Sequence, residues 1–135
     1  MASFKESVKY EVVIGVPDDL YLPKIGMTDF IDRIIDAWQQ YAKEFYDSND
    51  VYVSSIAILG KAIYNKDWGC PDHGERILSF HCTANPEFIK DLNKYEEGIL
   101  YITKRLKRDF SQHTITITKL PADICYLTDE DNLEE

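Results

Sequence analysis

Cys70-Pro71-Asp72-His73 is the one short run in which a thiol, a carboxylate and an imidazole fall within four residues. All three are zinc ligands, and a short Cys–His pair in a turn makes half of a tetrahedral site. No further CxxC, CxxH or HxxxH follows, so His113 would have to complete the shell from a distant segment. Zinc on Cys70, His73 and His113 is therefore one expectation for this turn. A polar turn with an incidental thiol is the plainer one, and it implies no cofactor. The same pair could serve as nucleophile and base, but only if the side chains meet and the thiol is acidified. His81 and Cys82 are adjacent in a strand-like run; neighbouring strand residues point to opposite faces, so these two cannot act together. GxGxxG, Walker, GxSxG and HExxH patterns are all absent.

The elements that must position these residues are legible from periodicity. Val8–Val16 alternates as a strand, with Val8, Tyr10, Val12, Ile14 and Val16 on one face. A loop, Pro17–Gly26, carries two prolines. Thr28 or Asp29 can cap a helix whose stripe is Phe30, Ile31, Ile34, Ile35, Trp38, Tyr41, Ala42 and Phe45. Val51–Tyr64 and Glu75–Ala84 read as a hairpin around the turn Asn65–Gly74. Asn85-Pro86 is a favourable helix start, and Phe88, Ile89, Leu92, Tyr95, Ile99, Ile102, Leu106 and Phe110 form the second stripe. Gly98 interrupts it and marks a kink or a close packing contact. Gln112–Leu120 alternates as a last strand, which Pro121 should stop.

The order β-α-β-β-α-β resembles the ferredoxin-like fold group: an α+β domain with a four-stranded antiparallel sheet and both helices on one face. The resemblance spans about Val8 to Leu120 and rests on element order, without a family motif. It implies that the loop after the first strand, the hairpin turn and the entry to the last strand share one end of the sheet. Asp18, Asp19, Tyr21, Trp68, Asp72, His73 and His113 would then face a ligand at that rim. His81 would lie on the helix-free face with Glu11, Val13, Ile77, Ser79, Thr114, Thr116 and Thr118. That face could be solvated, bury against a second copy or line a small-molecule cleft; pairing into a homodimer is the expectation.

The 135 residues fit one domain, 1–127, followed by an acidic tail, 128–135, with little to bury. A net charge of −9 argues against duplex DNA or an anionic membrane as partner. Three cysteines without framework spacing, and no apolar leader or span, indicate a cytoplasmic protein with free thiols. With no catalytic spacing, the first functional expectation is a non-catalytic binding or regulatory module that holds a protein or small ligand. The second is a small enzyme, cofactor-independent or metal-assisted, using His81 or Cys70, His73 and His113. A third is a phage or mobile-element inhibitor acting as an acidic decoy.

Overall fold

The computed structural model describes residues 2–17, 26–131 and 133. Its elements are β1 (Lys5–Gly15), α1 (Gly26–Asn49), β2 (Ile56–Ala62), a 3-10 turn (Lys66–Trp68), β3 (Glu75–Thr83), α2 (Leu92–Asp109) and β4 (Thr116–Ile124). The strands form one antiparallel sheet in the order β2-β3-β1-β4. This is the ferredoxin-like arrangement expected from element order. Cys70, Cys82 and Cys125 are free. Among the described residues no helix is long and apolar enough to cross a membrane. Asp18, Asp19 and Tyr21 lie outside the described residues.

Both helices bury their stripes against the same sheet face. Ile34, Trp38, Ala42 and Phe45 of α1 and Tyr95, Ile99, Ile102 and Leu106 of α2 meet Val8, Tyr10, Val12, Ile14, Leu78, Phe80 and Cys82. Alternation along β1 and β3 makes this possible, since every second side chain of each strand enters the core. Gly98 proves to be a packing contact. A Cβ there would stand 2.8 Å from Val53 Cγ2 and 2.9 Å from Phe45 Cε2, both on buried side chains. Gly98→Ala gains helix propensity of about 1 kcal/mol, but overpacking costs about 1–3 kcal/mol. Overpacking should win, and urea unfolding should show a lower midpoint with an unchanged slope.

Several boundaries differ from the sequence expectation. β1 starts at Lys5 rather than Val8, α1 at Gly26 rather than at a cap of Thr28 or Asp29, β2 at Ile56 rather than Val51, and β4 at Thr116 rather than Gln112. The start of α2 and the end of β4 differ for identifiable local reasons. The helix does not start at Asn85. That residue closes an isolated turn, its Oδ1 accepting from Glu87 N–H at 3.0 Å and its carbonyl from Ile89 N–H at 2.8 Å. Asp91 is the cap instead, accepting from Lys94 N–H at 3.0 Å. Nor does Pro121 end the last strand. It pairs opposite Val8 within β4, because β4 is an edge strand and a missing N–H on the outer side breaks no ladder bond.

Tyr10 couples α2 to the sheet at the β4 side. Its hydroxyl donates to Glu96 Oε1 at 2.8 Å, and Lys119 Nζ reaches the same oxygen at 2.8 Å. Burial first, then Glu96, pushes the Tyr10 hydroxyl up to about 12. The folded state therefore holds this proton more tightly than the unfolded chain, whose tyrosines titrate near 10. Its stabilising contribution is complete below about pH 10 and is lost as pH rises through about 12. Alkaline unfolding should steepen across that window, and Tyr10→Phe should flatten the dependence there.

Candidate functional site

The register brings the expected segments to one end of the sheet. Gly15 at the end of β1 pairs with Ile77, Ala62 at the end of β2 with Glu75, and Val13 with Thr116 near the start of β4. Glu75 is the first residue of β3 and lies on the helix-free side with Ile77, following the two-residue alternation.

The hairpin turn that delivers Glu75 is braced from within. Asn65 Oδ1 accepts from Asp67 N–H at 3.0 Å, and Gly69, at φ 100°, donates to the Lys66 carbonyl at 2.9 Å. His73 and Gly74 both sit in the left-handed region, at φ 70° and 84°. Gly74 is required twice over: its φ suits glycine, and a Cβ there would fall 3.0 Å from the Ala62 carbonyl oxygen. Lys61 Nζ donates to the His73 carbonyl at 3.0 Å. The chain thus leaves Gly74 in a fixed direction, and Glu75 begins the strand.

Glu75 stands on the ridge between two clefts. The first, about 540 Å³, is lined by Val13, Gly15, Ile77, Gln112, His113 and Thr116 among others. The second, about 390 Å³, is lined by Lys61, Tyr64, Asp72 and Arg76 among others. Glu75, Val16 and Pro17 border both. The Tyr64 hydroxyl donates to Glu75 Oε2 at 3.1 Å. Desolvation, then that bond, then the carboxylate charge push the Tyr64 hydroxyl above the usual tyrosine value. Tyr64 is therefore a donor that orients the carboxylate, not a base. Gln112 closes the opposite wall. Its Oε1 accepts from Gly15 N–H at 3.0 Å and its Nε2 donates to the Gly15 carbonyl at 3.0 Å.

The residues singled out from sequence are distributed unevenly over this end. His113 lines the first cleft and Asp72 the second. Asp72 is also in an exposed ion pair with Lys66 at 2.7 Å. His73 is exposed on the turn, and Trp68 is 78% exposed on the 3-10 turn. Cys70 is buried under its own turn, where its sulfur accepts from Tyr64 N–H and donates to the Pro71 carbonyl, each at 3.5 Å. Among the described residues no group of three His, Cys, Asp or Glu gathers as a metal site. His81 lies along the helix-free face, its Nε2 3.0 Å from Ser79 Oγ and its Nδ1 3.9 Å from Glu11 Oε1. Thr116 belongs to the face and to the cleft at once, so rim and sheet face are continuous here.

Glu75 and Gln112 were not anticipated as site residues. The available signal was positional. A charged residue directly after a turn glycine sits at a strand end, hence on the rim.

A carboxylate fixed at the junction of two clefts suits the cationic part of a small ligand, with Lys61 beside the second cleft for an anionic part. A family model described as SAM lyase matches residues 5–128. No curated protein matches. Among solved structures, a phage SAM lyase in complex with S-methyl-5'-thioadenosine is similar at 10% identity and TM-score 0.49, over 93% of either chain. A de novo designed protein, Foldit4, is similar at 12% identity and TM-score 0.42, over 85% of this chain and 94% of that one. The family match overturns the expectation of a non-catalytic binding or regulatory module and points to an enzyme. That expectation rested on the lack of a contiguous catalytic motif. Here the side chains that could do chemistry are assembled by a hairpin from positions eleven residues apart.

Proposed function

Because the chain belongs to the SAM lyase family, we propose that it cleaves S-adenosylmethionine without water, at a carbon–sulfur bond of the sulfonium. The match over residues 5–128 carries this reading. What supports a location for it on the molecule is Glu75, held by Tyr64 at the meeting of the two clefts.

The chemistry makes specific demands. The sulfonium leaves as a neutral thioether. Without water, the electron pair that displaces it comes either from a neighbouring C–H bond, with the proton passing to a base, or from the substrate's own carboxylate. The positive charge on sulfur vanishes in both routes. An anion set against the sulfur would then stabilise the substrate more than the transition state, and would slow the reaction. The α-ammonium keeps its charge throughout. Glu75 therefore serves best by holding that ammonium, which fixes the reacting chain over the cleft and removes its rotational freedom before reaction. Tyr64 keeps the carboxylate aimed, and Lys61 lines the second cleft, where an anionic end can settle.

The helix-free face is part of the same reading. Ile56 and Ile58 of β2 are 67% and 47% exposed there, which supports association with a second copy. Light scattering on the purified protein tests that part.

To test the activity, S-adenosylmethionine is incubated with the protein and followed by chromatography with mass detection. Loss of substrate with equimolar appearance of the adenosyl thioether is expected. Persistence of the substrate at micromolar enzyme overnight, against a blank, would overturn the proposal.

A further inference from the structure

Gly15 carries an ordinary strand φ, so its backbone does not require glycine. Space does. A Cβ at this position would stand 3.1 Å from Glu75 Oε1 and 3.4 Å from Gln112 Oε1. The carboxylate of Glu75 therefore lies directly over the bare Cα of Gly15, where a strand glycine marks a close approach. Gln112 reaches across from the α2–β4 junction and takes both backbone groups of Gly15, N–H and carbonyl, at 3.0 Å each. One side-chain amide thus replaces the ladder pairing that β4 no longer supplies beyond Thr116.

We propose that Gly15 and Gln112 form a positioning clamp for Glu75, one residue leaving room for the carboxylate and the other fixing the backbone beneath it. The proposal rests on the lyase reading for its consequence and on the geometry alone for its existence. Glu75 is held from two sides. Tyr64 bonds Oε2, and the floor of Gly15 fixes where Oε1 can lie. A methyl at Gly15 would force Oε1 to give by a few tenths of an ångström, and because a side chain yields more readily than backbone, the relief would come from rotation of Glu75 at the expense of its Tyr64 bond.

Two readouts decide it. The first is kinetic. Gly15→Ala should lower kcat/KM about 10- to 100-fold, with the loss falling on kcat and KM together as it does for Glu75→Gln, since the carboxylate is misplaced. In the Glu75→Gln background the same substitution should cost less than about twofold, because its effect passes through the carboxylate. Gln112→Ala, which adds no bulk, should act in the same direction by about 5- to 20-fold. The second readout needs no turnover. The Tyr64 Cζ resonance in 13C-tyrosine-labelled protein reports its bond to Glu75, and Glu75→Ala, which removes the acceptor, sets the unbonded position. Gly15→Ala or Gln112→Ala should move the resonance most of the way to that position. An unmoved Tyr64 resonance in both variants overturns the clamp. So does a kinetic loss from Gly15→Ala that is equally large in the wild-type and the Glu75→Gln backgrounds. Wild-type protein that leaves S-adenosylmethionine intact ends the lyase reading, while the Tyr64 resonance still decides the clamp.

Discussion

Glu75→Gln is expected to lower kcat/KM for S-adenosylmethionine by about 100-fold or more, the scale of losing one preorganised charged contact in a partly dry site. The amide keeps the size of the side chain and can still meet Tyr64, so the fold should be unaffected. The melting temperature should stay within about 2 °C of wild type, as for a surface substitution away from the core. Tyr64→Phe removes one hydrogen bond of 3.1 Å and leaves the charge, so its loss should be smaller, about tenfold. The ordering of the two variants matters as much as their size. If Glu75 holds an ammonium that is charged before and after reaction, the loss should fall on KM and kcat together. A Glu75→Gln protein that turns over at more than a tenth of the wild-type rate would remove Glu75 from the site.

The rim was legible in the sequence, because it follows from topology alone. A βαββαβ chain must bring its first loop, its hairpin turn and the entry to its last strand to one end. His113 and Asp72 border the clefts there for that reason. Glu75 was not singled out, because reading for chemistry favours residue types that are rare or reactive. A lone glutamate beginning a strand has the same sequence signature as any polar strand end. What distinguishes it is the contact with Tyr64 across the hairpin and the bare Cα of Gly15 beneath it, and both depend on strand register. Cys70 misled in the opposite sense. Its residue type is reactive, yet the turn folds over it and uses its sulfur as a local hydrogen-bonding group.

The fold was readable for a different reason. Each helix repeats its apolar residues at helical spacing, and each central strand alternates, so periodicity alone assigns the layers. The errors cluster where two signals compete locally. Asn85 and Asp91 are both good caps, and only packing chooses between them. Val51 and Val53 look like the start of β2, yet they are buried ahead of it, within the core. Val53 in particular lies against the position where Gly98 lacks a side chain, a long-range contact that a linear pattern does not encode.

The same corner of the core sets the largest stability effect expected in this protein. Trp38 is 5% exposed and stacks on Phe80, with centroids 4.4 Å apart and planes 14° from parallel. Its Nε1 donates to the Val53 carbonyl at 3.3 Å. Trp38→Ala therefore removes an aromatic pair, opens a cavity and leaves a buried carbonyl unpaired. The loss should be about 3–5 kcal/mol, or a fall in melting temperature of roughly 10–20 °C for a domain of this size. The carbonyl tempers this value, because a groove lined by Gln39, Ser54 and Ser55 borders Trp38 and can admit water to it. Trp38→Phe should recover more than half, since it restores the stack and forgoes only the hydrogen bond. Circular dichroism gives the midpoints of all the variants, and fluorescence follows the parent cleanly in a Trp68→Phe background, because Trp68 is 78% exposed and contributes no core packing. In that background Trp38 should emit at short wavelength and shift to the red on unfolding. A Trp38→Ala midpoint within about 2 °C of its parent, the range of a surface substitution, would mean that α1 does not lay this face on the sheet, and the stacking on Phe80 would have to be abandoned.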